Sequence, residues 1–202
     1  YNPSDRDTYY IFNEIYTNHF TNINPASICY VGNYSGFIEL MLQKSPTSNV
    51  TIITNKRENF SPNYADKFTS SEFIALPNII YDYNTILPNK KYELITFGYE
   101  PYVPGITFNF AFTQTPVNFM GMIFALNHLE KGGSLIFHIY NIINKFGADV
   151  YLTIAKHFKH SELYNPECAN LYKYNGLYAI FKDFKGLGKT SLYSLFSTSF
   201  NK

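Results

Sequence analysis

Charge is what this chain has least of. Only 15% of its 202 residues are Asp, Glu, Lys or Arg, and 16 basic side chains offset 15 acidic ones to a formal +1. A balance this close to neutral gives no global attraction to nucleic acid or to an anionic membrane, so any such contact has to come from a local patch. Tryptophan is absent, and the two cysteines, Cys29 and Cys168, have no close pair of histidines beside them. That set supports neither a disulfide framework nor a zinc site, so no metal and a reducing, cytoplasmic or other intracellular setting are expected. No apolar run reaches the roughly 20 residues that span a bilayer, and no signal peptide is recognisable. No membrane contact is expected. The chain starts at Tyr1 rather than Met, which reads as a domain cut from a longer chain or a processed polyprotein.

What is present suffices for one packed domain over residues 1–202. Hydrophobic residues make up 46%, with 19 Tyr and 19 Phe, and a chain of this length buries a substantial core. The aromatic, Asn, Ile and Lys bias fits an AT-rich genome as well as any functional demand. Along the chain, apolar spacing predicts helices over 7–20, 35–44, 115–130 and 143–158, and strands over 27–32, 49–54, 78–83, 92–98, 134–140, 161–164 and 176–184. The polar stretch 55–71 reads as a loop. Strands alternating with helices argue an α/β fold: a mostly parallel, seven-stranded, doubly wound sheet with helices on both faces and an antiparallel edge strand.

The segment "ICYVGNYSGF" (28–37) is an apolar run followed by two glycines, the way many nucleotide-binding turns begin. Farther on stand "YELITF" (92–97), "LNHLEKGGSLIF" (126–137) and a closing "GLYAIFKDFKG" (176–186), with "RDTYYIFNEI" (6–15) ahead of the first strand. In this order they resemble the FtsJ/RrmJ-like, Rossmann-fold, S-adenosylmethionine (SAM)-dependent RNA ribose 2′-O-methyltransferases, a fold shared by viral cap methyltransferases. The resemblance spans about Arg6 to Gly186.

The resemblance implies a glycine turn against the methionine half of SAM, an acid on the ribose hydroxyls, and a Lys-Asp-Lys-Glu tetrad that activates the 2′-hydroxyl. Carried over residue by residue, the turn corresponds to Gly32, Asn33, Ser35 and Gly36, with Tyr30 at the first acid and Phe37 at a glycine. The ribose acid corresponds to Asn55, and Asp82 falls where an acid often meets the adenine amine. The tetrad corresponds to Ile11, Gly98, His138 and Gly176, so none of its four ionisable groups is kept. His138 is the one side chain there able to act as a base, against the alternative of a structural strand-end histidine.

Other signals are local. "KDFKGLGK" (182–189) has Asp183 where a phosphate loop needs its first glycine, and reads as a basic tail. Lys56 and Arg57 beside the second strand, with Lys182, Lys185 and Lys189, are candidate RNA contacts, aided by Tyr99, Tyr102 and Phe108 as stacking surfaces. "NVT" at 49–51 opens a strand and is a chance sequon. The expectation is a catalytically degenerate methyltransferase-like domain, a scaffold or regulatory module within a viral capping or replication protein, with other domains of that machinery as partners. An active SAM-dependent RNA 2′-O-methyltransferase with divergent residues and a non-catalytic RNA-binding module are the alternatives.

Overall fold

The computed structural model describes residues 5–54, 70–75, 89–98, 110–139, 145–171 and 177–187. The chain enters through helix α1 (Arg6–His19), whose buried face repeats at helical spacing through Tyr9, Phe12, Ile15 and Tyr16. Asp5 caps it by accepting the Thr8 N–H at 3.4 Å. Strand β1 (Ser27–Gly32), helix α2 (Gly36–Lys44) and strand β2 (Asn49–Thr54) follow. Next come β3 (Ser70–Ala75), β4 (Tyr92–Gly98), α3 (Phe110–His128) and β5 (Leu129–Ile139). The chain closes with α4 (Lys145–Ala155), β6 (Phe158–Tyr164), a short α5 (Glu167–Leu171) and β7 (Leu177–Phe184).

The strands form one sheet in the order β3-β2-β1-β4-β5-β7-β6. All neighbouring pairs are parallel except β5 with β7 and β6 with β7. The antiparallel strand is therefore β7, inserted one place in from the edge, while β6 forms the edge itself. Period-two alternation splits the core cleanly. Ile28, Tyr30, Leu94, Ile136 and Tyr178 turn to the face covered by α1 and α2. Cys29, Val31, Ile95, Phe97, Phe137 and Phe181 turn to the face packed with side chains of α3 and α4. Strands buried on both sides read as continuous apolar runs, as "ICYV" and "LITF" do.

Several placements differ from the sequence expectation, among them β6, which begins at Phe158 where a helix over 143–158 was expected, and α5, which was not expected. Ser70, assigned to a loop, starts strand β3, which pairs in parallel with all of β2 from Asn49 to Thr54; its "SSEFIA" has only three apolar residues, so neighbour pairing rather than pattern makes it a strand. The expected strand over 78–83 lies outside the described residues. Helix α3 also ends at His128 rather than 130, because Leu129 already pairs with Tyr92 of β4. Near the far end of the sheet, Asp183 takes a left-handed φ of 59°. That kink turns Phe184 to the same face as Phe181, beside Phe158 at 5.1 Å.

Candidate functional site

The carboxyl ends of the parallel strands are where ligands of open α/β sheets bind. Here the register lines up one row across four strands. Gly32 pairs with Gly98, a Cβ on Gly98 would lie 3.7 Å from that of His138, and His138 pairs with Tyr178. Gly98 and His138, two of the positions that the resemblance matches to the tetrad, are thus neighbours. Ile11 is fully buried on α1, the helix covering that face, and its neighbour Phe12 meets Tyr178 edge-on at 5.8 Å. Gly176 lies outside the described residues, immediately before β7.

His138 lies flat on Tyr178, 4.5 Å between ring centroids and 9° between planes. It is 6% exposed, and burial drives its pKa down to about 3. The imidazole is neutral through the physiological range and a poor proton acceptor, since a general base works best with a pKa near the working pH.

The glycine turn is tied to itself. Tyr30 is buried, stacks on Phe37 at 5.3 Å and 17°, and its hydroxyl accepts the Tyr34 N–H at 3.2 Å. A Cβ at Gly32 would come within 2.6 Å of that hydroxyl, so the tyrosine itself demands glycine here. Thr54 Oγ1, at the end of β2, donates to Asn33 Oδ1 at 3.2 Å, and Ser35 Oγ donates to the buried Glu39 Oε1 at 3.0 Å. Gly36 serves helix packing instead. A Cβ there would overlap Thr8 Oγ1 and the Tyr9 backbone nitrogen, so the glycine lets α1 cross α2 at backbone contact. Phe37, which stands where the resemblance has a glycine, points into the core between Tyr30 and Phe12, its ring centroid 5.0 Å from that of the latter.

The remaining expected site residues do not join this row. Asn55, Lys56, Arg57, Asp82 and Lys189 lie outside the described residues. Lys182 pairs with His160, and Phe181 beside it pairs with Leu135, so the lysine sits toward the amino ends of the parallel strands, opposite the glycine turn. Its ammonium lies 5.3 Å over the Phe20 ring. Lys185 Nζ donates to the Lys156 carbonyl at 3.2 Å. No group of three or more His, Cys, Asp or Glu suited to a metal ion occurs among the described residues, and no helix there is long and apolar enough to cross a membrane.

Sequence reasoning missed the partners. Tyr178 and Phe12 looked like ordinary core residues, and Thr54 stands one place before Asn55, where the resemblance puts the ribose contact. It also missed Glu14, whose carboxylate joins α1 to the β6–α5 corner. It accepts from Tyr164 Oη at 2.6 Å and from the N–H groups of Glu167 and Cys168 at 2.7 and 3.0 Å. Burial pushes Glu14 up, but hydrogen bonds from the Cys168 thiol, Tyr164 and the two amides together hold it at about 2. Burial, with the same contacts, pushes Tyr164 and the Cys168 thiol up to about 12, so Cys168 is not a reactive thiolate.

No protein-family model matches the sequence, and no curated protein sequence matches it. Solved structures do match its shape. A Plasmodium falciparum protein assigned as a ribosomal RNA methyltransferase aligns over 90% of this chain and 98% of its own, with TM-score 0.63 and 17% identity. A Streptococcus thermophilus rRNA methylase aligns over 86% and 95%, with TM-score 0.53 and 12% identity. The alphavirus P23pro-zbd structure aligns over 85% of this chain but 22% of its own, with TM-score 0.51 and 15% identity. At these identities the likeness is one of fold: the chain has a methyltransferase-like Rossmann fold.

Proposed function

We propose that this is a methyltransferase-fold domain that does not methylate ribose and serves as a scaffold or interaction module, with RNA capping or replication as its setting on the sequence resemblance. The observation that carries this reading is the row at the carboxyl edge. Where ribose methylation needs a base beside the hydroxyl, Gly98 offers no side chain and His138 is neutral, buried and stacked on Tyr178. Ile11 adds only apolar surface.

The described half of the cofactor cradle supports the same conclusion. Asn33, Ser35 and the Tyr34 amide are bonded to Thr54, Glu39 and Tyr30, partners within the protein. They do not fit a mode in which the turn's polar groups face SAM. Methyl transfer from labelled SAM to capped and uncapped RNA tests the proposal. The expected result is no transfer above the protein-free rate. Turnover that disappears in His138→Ala would establish the alternative, an active RNA 2′-O-methyltransferase, which draws support from the fold likeness to RNA methyltransferases and from the kept turn at Gly32.

A further inference from the structure

At the opposite edge of the sheet, β5 carries three more residues than β4 between two of their pairings: Leu129 to Ser134 runs against Tyr92 to Leu94. The excess stands out as an exposed ridge at Glu130, Lys131 and Gly132, with Gly132 at a φ of 86°. Between this ridge and the chain leaving β7 lies a groove of about 430 Å³. Its floor is closed by the buried Leu126, Leu129 and Phe184, with the half-buried Leu187 as the apolar surface it presents, and its rim carries Lys91, whose ammonium donates to the Asn127 carbonyl, and Lys131. Both rim lysines are exposed, and Glu130 is the acid among the lining residues.

We propose that this groove docks an acidic segment of a partner protein, which seats an apolar side chain against Leu187 and sets carboxylates against Lys91 and Lys131. The inference rests on the reading of the domain as an interaction module and names the partner class. An apolar floor under a basic rim is complementary to an anchor flanked by acids. Single-stranded RNA would ask for open aromatic faces, whereas the Phe184 ring is 3% exposed and packs on Phe158. Exposed lysines are well screened, so the apolar anchor has to carry much of the affinity and salt has to modulate it.

A random-peptide display library selected on the full chain, with Lys91→Glu/Lys131→Glu as comparator, tests this. The expected winners place Asp and Glu around a Leu, Met or Phe. A labelled winner should lose about tenfold or more in affinity on the double reversal, about one 1.4 kcal/mol step, and on raising salt from roughly 0.05 to 0.5 M. Leu187→Asp should weaken it while the rim stays intact. Winners without acids, winners that bind both chains equally, or no enrichment overturn the proposal. So does peptide binding that emerges only after removal of residues 188–202, which would make the chain's own C-terminal segment the occupant. A single-stranded oligonucleotide that binds and is lost on the same reversal would replace the protein partner with RNA. Because groove and glycine turn lie at opposite edges, peptide binding and methyl transfer fail or succeed independently.

Discussion

Acid reaches two side chains on the α1 face in succession. His138 is held at about 3, below the ordinary histidine value of 6.5. Its folded pKa is depressed, so the unfolded chain takes up the proton first, and stability present above pH 6.5 is lost as pH falls toward 3. His128, also lowered by burial, acts with the same sign. His138→Phe keeps a ring on Tyr178 and removes the titration; the loss of thermal midpoint between pH 7 and pH 5 should shrink relative to wild type. Glu14 follows, at about 2 against 4.5. Its contribution is complete above pH 4.5 and disappears as pH falls to 2. Glu14→Gln should lower the urea midpoint at pH 7 by an amount equivalent to about 1–2 kcal/mol after solvent screening, with the two proteins converging near pH 2. Equal differences at pH 7 and pH 2 would refute the carboxylate's role. The match of His138 to a base position was an expectation from the resemblance; its stacking was not legible in the sequence, because Tyr178 lies 40 residues away and meets it only through strand pairing.

Two elements depend on a single backbone position. Gly36 lets α1 and α2 touch at Thr8 and Tyr9, and backbone cannot retreat as a side chain can. Gly36→Ala should therefore destabilise by about 1–3 kcal/mol, the usual penalty for overpacking, read as a lower denaturant midpoint. Little or no loss would mean the helices separate easily. Asp183 holds its left-handed φ so that Phe184 reaches the core. Asp183→Gly should leave the denaturant midpoint unchanged or slightly higher, and Asp183→Val should lower stability by about 1–2 kcal/mol, read as a lower midpoint. The glycine at 36 was visible as part of a cofactor-like turn. Its work in helix packing was not, since a contact with residues 27 or 28 places away leaves no local pattern.

For the whole molecule, the sheet separates a carboxyl edge with the glycine turn from an amino edge with the basic groove. Calorimetry with SAM should give no saturable heat; a clear signal lost on Gly32→Trp would reverse the reading of the turn. Lys91→Glu/Lys131→Glu should leave the unfolding free energy, read from urea titration, within about 0.5 kcal/mol of wild type, as changes of exposed charges commonly do. Lys182 and Lys185, grouped by sequence with Lys56 and Arg57 as RNA contacts, belong to the amino edge, because β7 runs antiparallel and carries its last residues away from the turn. Period and composition determined the alternation of strands and helices and the glycine turn, since these are properties of neighbours in the chain, whereas the match of Ile11, Gly98, His138 and Gly176 to a tetrad came from the resemblance alone. Tertiary structure decided the rest: that Ser70–Ala75 is a strand, that Tyr30 and Phe37 belong to the core, that His138 is stacked and neutral, and that a groove opens at the far edge. Each of these depends on residues brought together by pairing and packing across the sheet, and a linear pattern does not encode which distant side chain will fill a given space.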